Sequence, residues 1–207
     1  MAQLIRLYEE NPSPKHVKTV IDCLKNDGIV VFPTDTVYGM GCSIGSSKGL
    51  ERMARIKGQK ADKMDFSLIF DDLSHLSDYT LPLSNSAFKT LRRCLPGPFT
   101  FILDANNQVP KIFKHNKKSI GIRIPDNKIT QLLVKELGHP LVTTSIRDED
   151  RVREYTTDPE LIAERYGDQV DVVINSGFSN LEASTVVDLR NEPYEILREG
   201  KGDIGLL

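Results

Sequence analysis

The chain lacks any apolar run approaching the roughly 20 residues that a membrane-spanning helix requires, which excludes a bilayer-crossing protein of that kind. No secretory leader is expected either, since Arg6, Glu9 and Glu10 break the N-terminal stretch before an apolar core can form, and a cytoplasmic protein is expected. Cysteine is scarce. Cys23, Cys42 and Cys94 have no metal-type spacing and cannot all pair, and they read as reduced, structural thiols. Charge of neither sign dominates, since 27 Lys and Arg stand against 29 Asp and Glu, and the net −2 excludes a general polyanion binder. There is no G-x-x-x-x-G-K-S/T phosphate loop, no H-E-x-x-H and no paired C-x-x-C, and Gly39-x-Gly41 lacks the third glycine of a dinucleotide loop. His16, His75, His115 and His139 are scattered along the chain, so no metal site is expected.

What is present suits one α/β domain over residues 1–207, with 39% apolar and 27% charged residues. Apolar alternation predicts strands at Gln3–Tyr8, Ile29–Phe32, Phe66–Phe70, Phe99–Leu103, Ser119–Ile124 and Pro140–Thr144, then at Val170–Ile174, Thr185–Leu189 and Tyr194–Arg198. Helical spacing and caps predict helices from Pro14 to about Asn26, from the Ser46/Ser47 cap to about Ile56, over Asp72–Tyr79 and Ser84–Arg93, over Asn127–Leu137, and from Asp158-Pro159 to about Tyr166. On the Asn127–Leu137 helix, Ile129, Leu132, Leu133 and Leu137 are expected inward. Strands and helices interleave throughout, which predicts helices packed on a twisted mixed sheet. The charge-rich stretch Ile146–Thr157 reads as a mobile surface loop. Basic groups at Lys111, Lys114, His115, Lys117 and Lys118, at Arg92-Arg93 and at Lys57/Lys60/Lys63 read first as solvated faces and second as phosphate contacts.

Chemistry concentrates at strand ends. The run Gly28–Phe32 stops at Pro33 and hands the chain to Thr34-Asp35-Thr36-Val37-Tyr38-Gly39, a loop dense in hydroxyls with one carboxylate and one phenol. Along Ser119–Ile124, Ser119, Gly121 and Arg123 share one face and the isoleucines share the other. An arginine beside a glycine on a strand face suits close approach by a carboxylate or phosphate, which guanidinium binds bidentately. Lys57 at a helix end, Thr143-Thr144-Ser145, Ser184-Thr185-Val186-Val187-Asp188 and Arg198-Glu199-Gly200 complete a set that fits an anionic, polyhydroxylated ligand.

These fragments, with Ile56-Lys57-Gly58, Pro96-Gly97-Pro98-Phe99-Thr100 and Gly121-Ile122-Arg123-Ile124-Pro125 in the same order, resemble the YrdC/YciO family over nearly the whole chain. The resemblance implies a YrdC/RibB-type α/β fold with a positively lined concave cleft. It implies an L-threonylcarbamoyladenylate synthase-like nucleotidyltransferase. Such an enzyme uses ATP with Mg²⁺, L-threonine and bicarbonate, and its product serves tRNA threonylcarbamoyladenosine. Carried over by position, Thr34, Arg123, Thr143 and Ser184 would face threonine, and Lys57, Ser119, Ser145 and Arg198 would face the nucleotide. Lys57 and Arg123 would be the catalytic cations.

The chain departs from the synthase pattern at two positions. Gln59 stands where the synthases carry the arginine of a Lys-x-Arg pair, and Arg147 where they carry the asparagine of Ser-x-Asn. Both changes point to the YciO branch. Two other readings stay open: removal of threonylcarbamoyl groups from tRNA, and a non-catalytic factor that binds tRNA, other double-stranded RNA or the ribosome.

Overall fold

The computed structural model describes residues 1–110, 118–146 and 156–207. The strands are β1 (Gln3–Arg6), β2 (Val30–Phe32), β3 (Gly39–Ser43), β4 (Ser67–Ile69), β5 (Phe99–Asp104), β6 (Ser119–Arg123), β7 (Leu141–Ser145), β8 (Val172–Asn175), β9 (Thr185–Asp188) and β10 (Glu195–Arg198). The helices are α1 (Pro14–Lys25), α2 (Ser47–Ile56), α3 (Asn85–Cys94), α4 (Lys128–Leu137) and α5 (Pro159–Tyr166). One mixed sheet runs in the order β1-β8-β2-β3-β7-β4-β6-β5-β9-β10. Among the described residues, no helix is long and apolar enough to cross a membrane.

The helices start where capping chemistry allows. Ser46, Ser84, Asn127 and Asp158 each accept a first-turn backbone N–H, and Pro14 and Pro159 open α1 and α5 with no N–H to lose. Gly138 closes α4 at φ 79°, in the left-handed region that glycine enters without strain. Each cap is worth about 1 kcal/mol.

Alternation along the strands then divides the core into two layers. Val30 and Phe32 pack with Val17, Val20 and Leu24 of α1 and Ile129 and Leu133 of α4. Their neighbours Ile29 and Val31 join Ile122, Phe101 and Val142 beneath α2, α3 and α5. Helices therefore lie on both faces. The α1/α4 layer reaches Leu141 of β7 and Ile69 of β4. Farther along that face, small and polar side chains replace the aliphatic ones, and the sheet is left open as a trough.

Three expectations change. The Gly39–Ser43 strand was not predicted, because its two glycines and its hydroxyl disguise a strand whose five residues are all buried. Close approach explains them: a Cβ on Gly41 would stand 2.6 Å from the Val142 carbonyl oxygen and 2.9 Å from the Phe32 ring. The predicted helix over Asp72–Tyr79 is only a 3₁₀ turn at Leu76–Asp78, since the Asp72 carboxylate accepts the Ser74 N–H and holds a turn instead. Leu132 is half-buried at the margin of the α1/α4 layer. Most of the loop expected at Ile146–Thr157 lies outside the described residues, as do Lys111, Lys114, His115 and Lys117; Ile146 and Thr156 themselves are buried.

Candidate functional site

Strand register builds the floor of the trough. Thr143 of β7 stands opposite Ser67 of β4, Ser67 opposite Gly121 of β6, and Gly121 opposite Ile102 of β5. These four residues line a cleft of about 570 Å³. A Cβ on Gly121 would collide with the Ser67 hydroxyl and lie 3.3 Å from Thr100 Cγ2. Glycine at this point keeps the cleft deep.

Arg123 ends β6 at one side of the floor. Its Nη2 donates to Asp35 Oδ1 and to Thr36 Oγ1, each at 3.0 Å. Its Nε is buried and has no hydrogen-bond partner. Burial pulls the Arg123 pKa below the ordinary guanidinium value; the Asp35 carboxylate opposes that pull, and the nearby Arg198 charge adds to it. The guanidinium remains a cation, because burial cannot bring so basic a group near neutrality. Arg198, at the end of β10, donates through Nη2 to the Ser184 carbonyl at 2.8 Å and to Ser184 Oγ at 3.2 Å. Ser184 Oγ lies 2.8 Å from Thr100 Oγ1, which ties β10 and the start of β9 to the floor.

The structure brings six of the predicted residues together. Ser119, Arg123, Thr143, Ser145, Ser184 and Arg198 all border the cleft. Thr34 and Lys57 stand elsewhere. Thr34 Oγ1 donates to the Val37 carbonyl at 2.7 Å and accepts the Thr36 N–H, so it stabilises the turn of its own loop. Thr34 borders a second, smaller cavity of about 270 Å³ with Tyr8, Glu9 and Phe178. Lys57 is the half-buried C-cap of α2 and is not on the cleft wall, and Gln59 is exposed two residues beyond it. Arg147 lies outside the described residues.

Other residues at the site had no role in the sequence reading. Ser67 and Thr100 reach the floor as polar alternates in strands that are otherwise apolar, a period-two signal present in the sequence. Asp35 sits inside the motif loop but carried no assignment. Arg190 also borders the cleft and grips Asp188, with Nη2 2.6 Å from Oδ2. Hydrogen bonds from Arg190 hold the Asp188 carboxyl below the usual carboxylate range. Lys118, from the basic segment, stands exposed at the cleft mouth. Arg93, by contrast, donates to the Leu206 and Leu207 carbonyls and serves the fold. Among the described residues, no three His, Cys, Asp or Glu side chains gather as a metal ion would require.

A family model described as "Sua5_yciO_yrdC: Telomere recombination" matches residues 22–200. The uncharacterized protein YciO of Escherichia coli (strain K12) is 35% identical over 206 residues, covering 99% of this chain and 98% of that protein. The crystal structure of E. coli YciO aligns with a TM-score of 0.91 at 34% identity, over 100% of this chain and 99% of the other. A threonylcarbamoyl-AMP synthase of Nitrosococcus oceani is 30% identical over 158 residues, 76% of this chain and 84% of that enzyme. P. abyssi Sua5 complexed with L-threonine shares the fold, with a TM-score of 0.86 at 23% identity over 95% of this chain and 57% of that one.

Proposed function

The chain belongs to the Sua5/YciO/YrdC family, and from that premise we propose that its cleft binds L-threonine and ATP and joins them with bicarbonate into threonylcarbamoyl-adenylate. One observation carries the reading. Arg123 and Arg198 border one open cleft, the Arg198 charge adds to the downward pull on the Arg123 pKa, and Arg123 keeps a buried Nε–H without an acceptor. An arriving carboxylate offsets both charges and supplies the missing acceptor.

In this reading threonine places its carboxylate on Arg123, beside the hydroxyls of Thr143 and Ser184. The nucleotide lies toward Ser119, Ser145 and Arg198, and Lys57 supplies counter-charge from outside the wall. Threonine nitrogen adds to bicarbonate carbon with loss of water, and the resulting carbamate oxygen attacks the α-phosphorus. The bond to pyrophosphate breaks as the new P–O bond forms. The protein's share is to orient the reactants and offset charge on the departing pyrophosphate. Mg²⁺ would arrive on the nucleotide phosphates, since Asp65 is the carboxylate on the described cleft wall and no acidic cluster accompanies it. Gln59 provides no charge at its position, so turnover below that of the Lys-x-Arg synthases is expected.

A second reading uses the same pocket with tRNA as the donor of a threonylcarbamoyl group. Lys118 and Arg190 at the cleft favour it, because a polyanion lying across the mouth would meet both cations. Calorimetric titration of the purified protein separates these outcomes from a non-catalytic role. Saturable binding of both threonine and ATP is expected. Salt-sensitive RNA binding with no response to threonine would contradict the proposal.

A further inference from the structure

We propose that Asp35 is a positioning residue that sets the Arg123 guanidinium for an incoming carboxylate; the inference rests on the threonine-binding reading above and deepens it. Asp35 does not border the cleft, whereas Arg123 does. The ion pair is secluded, with side-chain exposures of 11% for Arg123 and 8% for Asp35. Asp35 therefore stands behind the guanidinium and reaches a ligand only through it.

The carboxylate is itself fixed. While Oδ1 accepts from Arg123, Oδ2 accepts from the Asp126 backbone N–H at 3.1 Å. The Asp35 carbonyl accepts from Asn180 Nδ2 at 3.1 Å and from Lys201 Nζ at 2.7 Å. Contacts from three separate parts of the chain thus converge on one residue: Arg123 and Asp126 hold its carboxylate, and Asn180 and Lys201 hold its backbone. Thr36 Oγ1 takes the second hydrogen of Arg123 Nη2. Both Nη2 hydrogens are occupied by the protein, and the Nε hydrogen is buried without a partner. Asp35 thereby fixes the orientation in which the guanidinium borders the cleft.

An asparagine could not repeat this arrangement. The carboxylate accepts on both oxygens, but an amide has one acceptor and would lose either the Arg123 or the Asp126 contact. A glutamate keeps the charge but displaces it by one methylene.

The test combines titration with nitrogen-15 NMR of the arginine side chains, using the full chain and its Asp35→Asn and Asp35→Glu variants. Threonine Kd is expected to rise roughly tenfold in Asp35→Asn and by a smaller factor in Asp35→Glu, with ATP Kd held within about twofold in both. Without ligand, restricted rotation of the Arg123 guanidinium in the wild type should become free in Asp35→Asn. Unchanged threonine affinity in Asp35→Asn overturns the proposal, and so does an equal loss of threonine and ATP affinity. Should Asp35→Asn not fold, Asp35→Glu is read alone: weaker threonine binding with unchanged ATP binding supports the role, and any other pattern overturns it. If the wild type binds no threonine, the functional reading fails, and NMR alone decides the positioning role. A guanidinium still restricted in Asp35→Asn would then overturn it.

Discussion

Gly121 and Ser67 face each other across β6 and β4 so closely that a Cβ on Gly121 would strike the Ser67 hydroxyl. The depth of the cleft depends on that missing side chain. Gly121→Ala should destabilise the protein by about 1–3 kcal/mol, because both Ser67 and Thr100 must move. Adding Ser67→Gly should return most of the loss, which urea unfolding of the single and double variants measures. A Gly121→Ala protein as stable as the wild type would contradict the close approach.

Removing Arg123 should cost stability as well as binding. Arg123→Ala leaves the Asp35 carboxylate buried without its cation, and breaking a buried pair in this way costs about 3–5 kcal/mol. Arg123→Met with Asp35→Asn should recover part of that stability and none of the threonine affinity. Denaturant midpoints and calorimetry on the same preparations separate the two effects.

The Asp188–Arg190 pair should leave a signature in acid. Because Arg190 lowers the Asp188 pKa in the folded protein, its stabilisation is fully present above the unfolded value of about 3.9 and fades as pH falls through the folded value. Arg190→Met should therefore be less stable than wild type near neutrality, with the gap closing below about pH 4. Urea midpoints measured across that range give the comparison. A gap of constant size down to the lowest pH would show that Arg190 acts through packing alone.

Thiol chemistry offers an independent check on burial. Burial pushes Cys42 up to about 12 and Cys23 up to about 11, and it raises Cys94 as well. At about pH 8 only roughly one Cys42 in ten thousand would be thiolate, so alkylation should wait for unfolding. Mass spectrometry after iodoacetamide, with and without urea, reads this directly. Rapid modification of Cys42 in the native protein would contradict its placement under α2.

The chain declares most of its fold through period and caps. Ser46, Ser84, Asn127 and Asp158 mark four helix starts, and the Ile120, Ile122 and Ile124 alternation marks β6 and its open face. Gly39–Ser43 was hidden because glycine signals a turn locally, whereas here it answers to the Phe32 ring and the β7 backbone, contacts set by tertiary packing. Asp72–Tyr79 misled for the opposite reason: a local Asx turn outweighs a weak helical pattern. At the site, Arg123 was legible from its strand face, while two of the eight residues carried over by position, Thr34 and Lys57, lie off the cleft. The Asp35 pairing was not, since it joins residues far apart in sequence and leaves no periodic trace.

Product formation tests the central claim most directly. Purified protein is incubated with ATP, L-threonine, bicarbonate and Mg²⁺, and pyrophosphate and threonylcarbamoyl-adenylate are quantified by chromatography and mass spectrometry. The expected result is both products in equal amounts, each requiring threonine and bicarbonate and each lost in Arg123→Ala. Saturable binding of threonine and ATP with no adenylate, even at long incubation, would contradict synthase chemistry at this cleft.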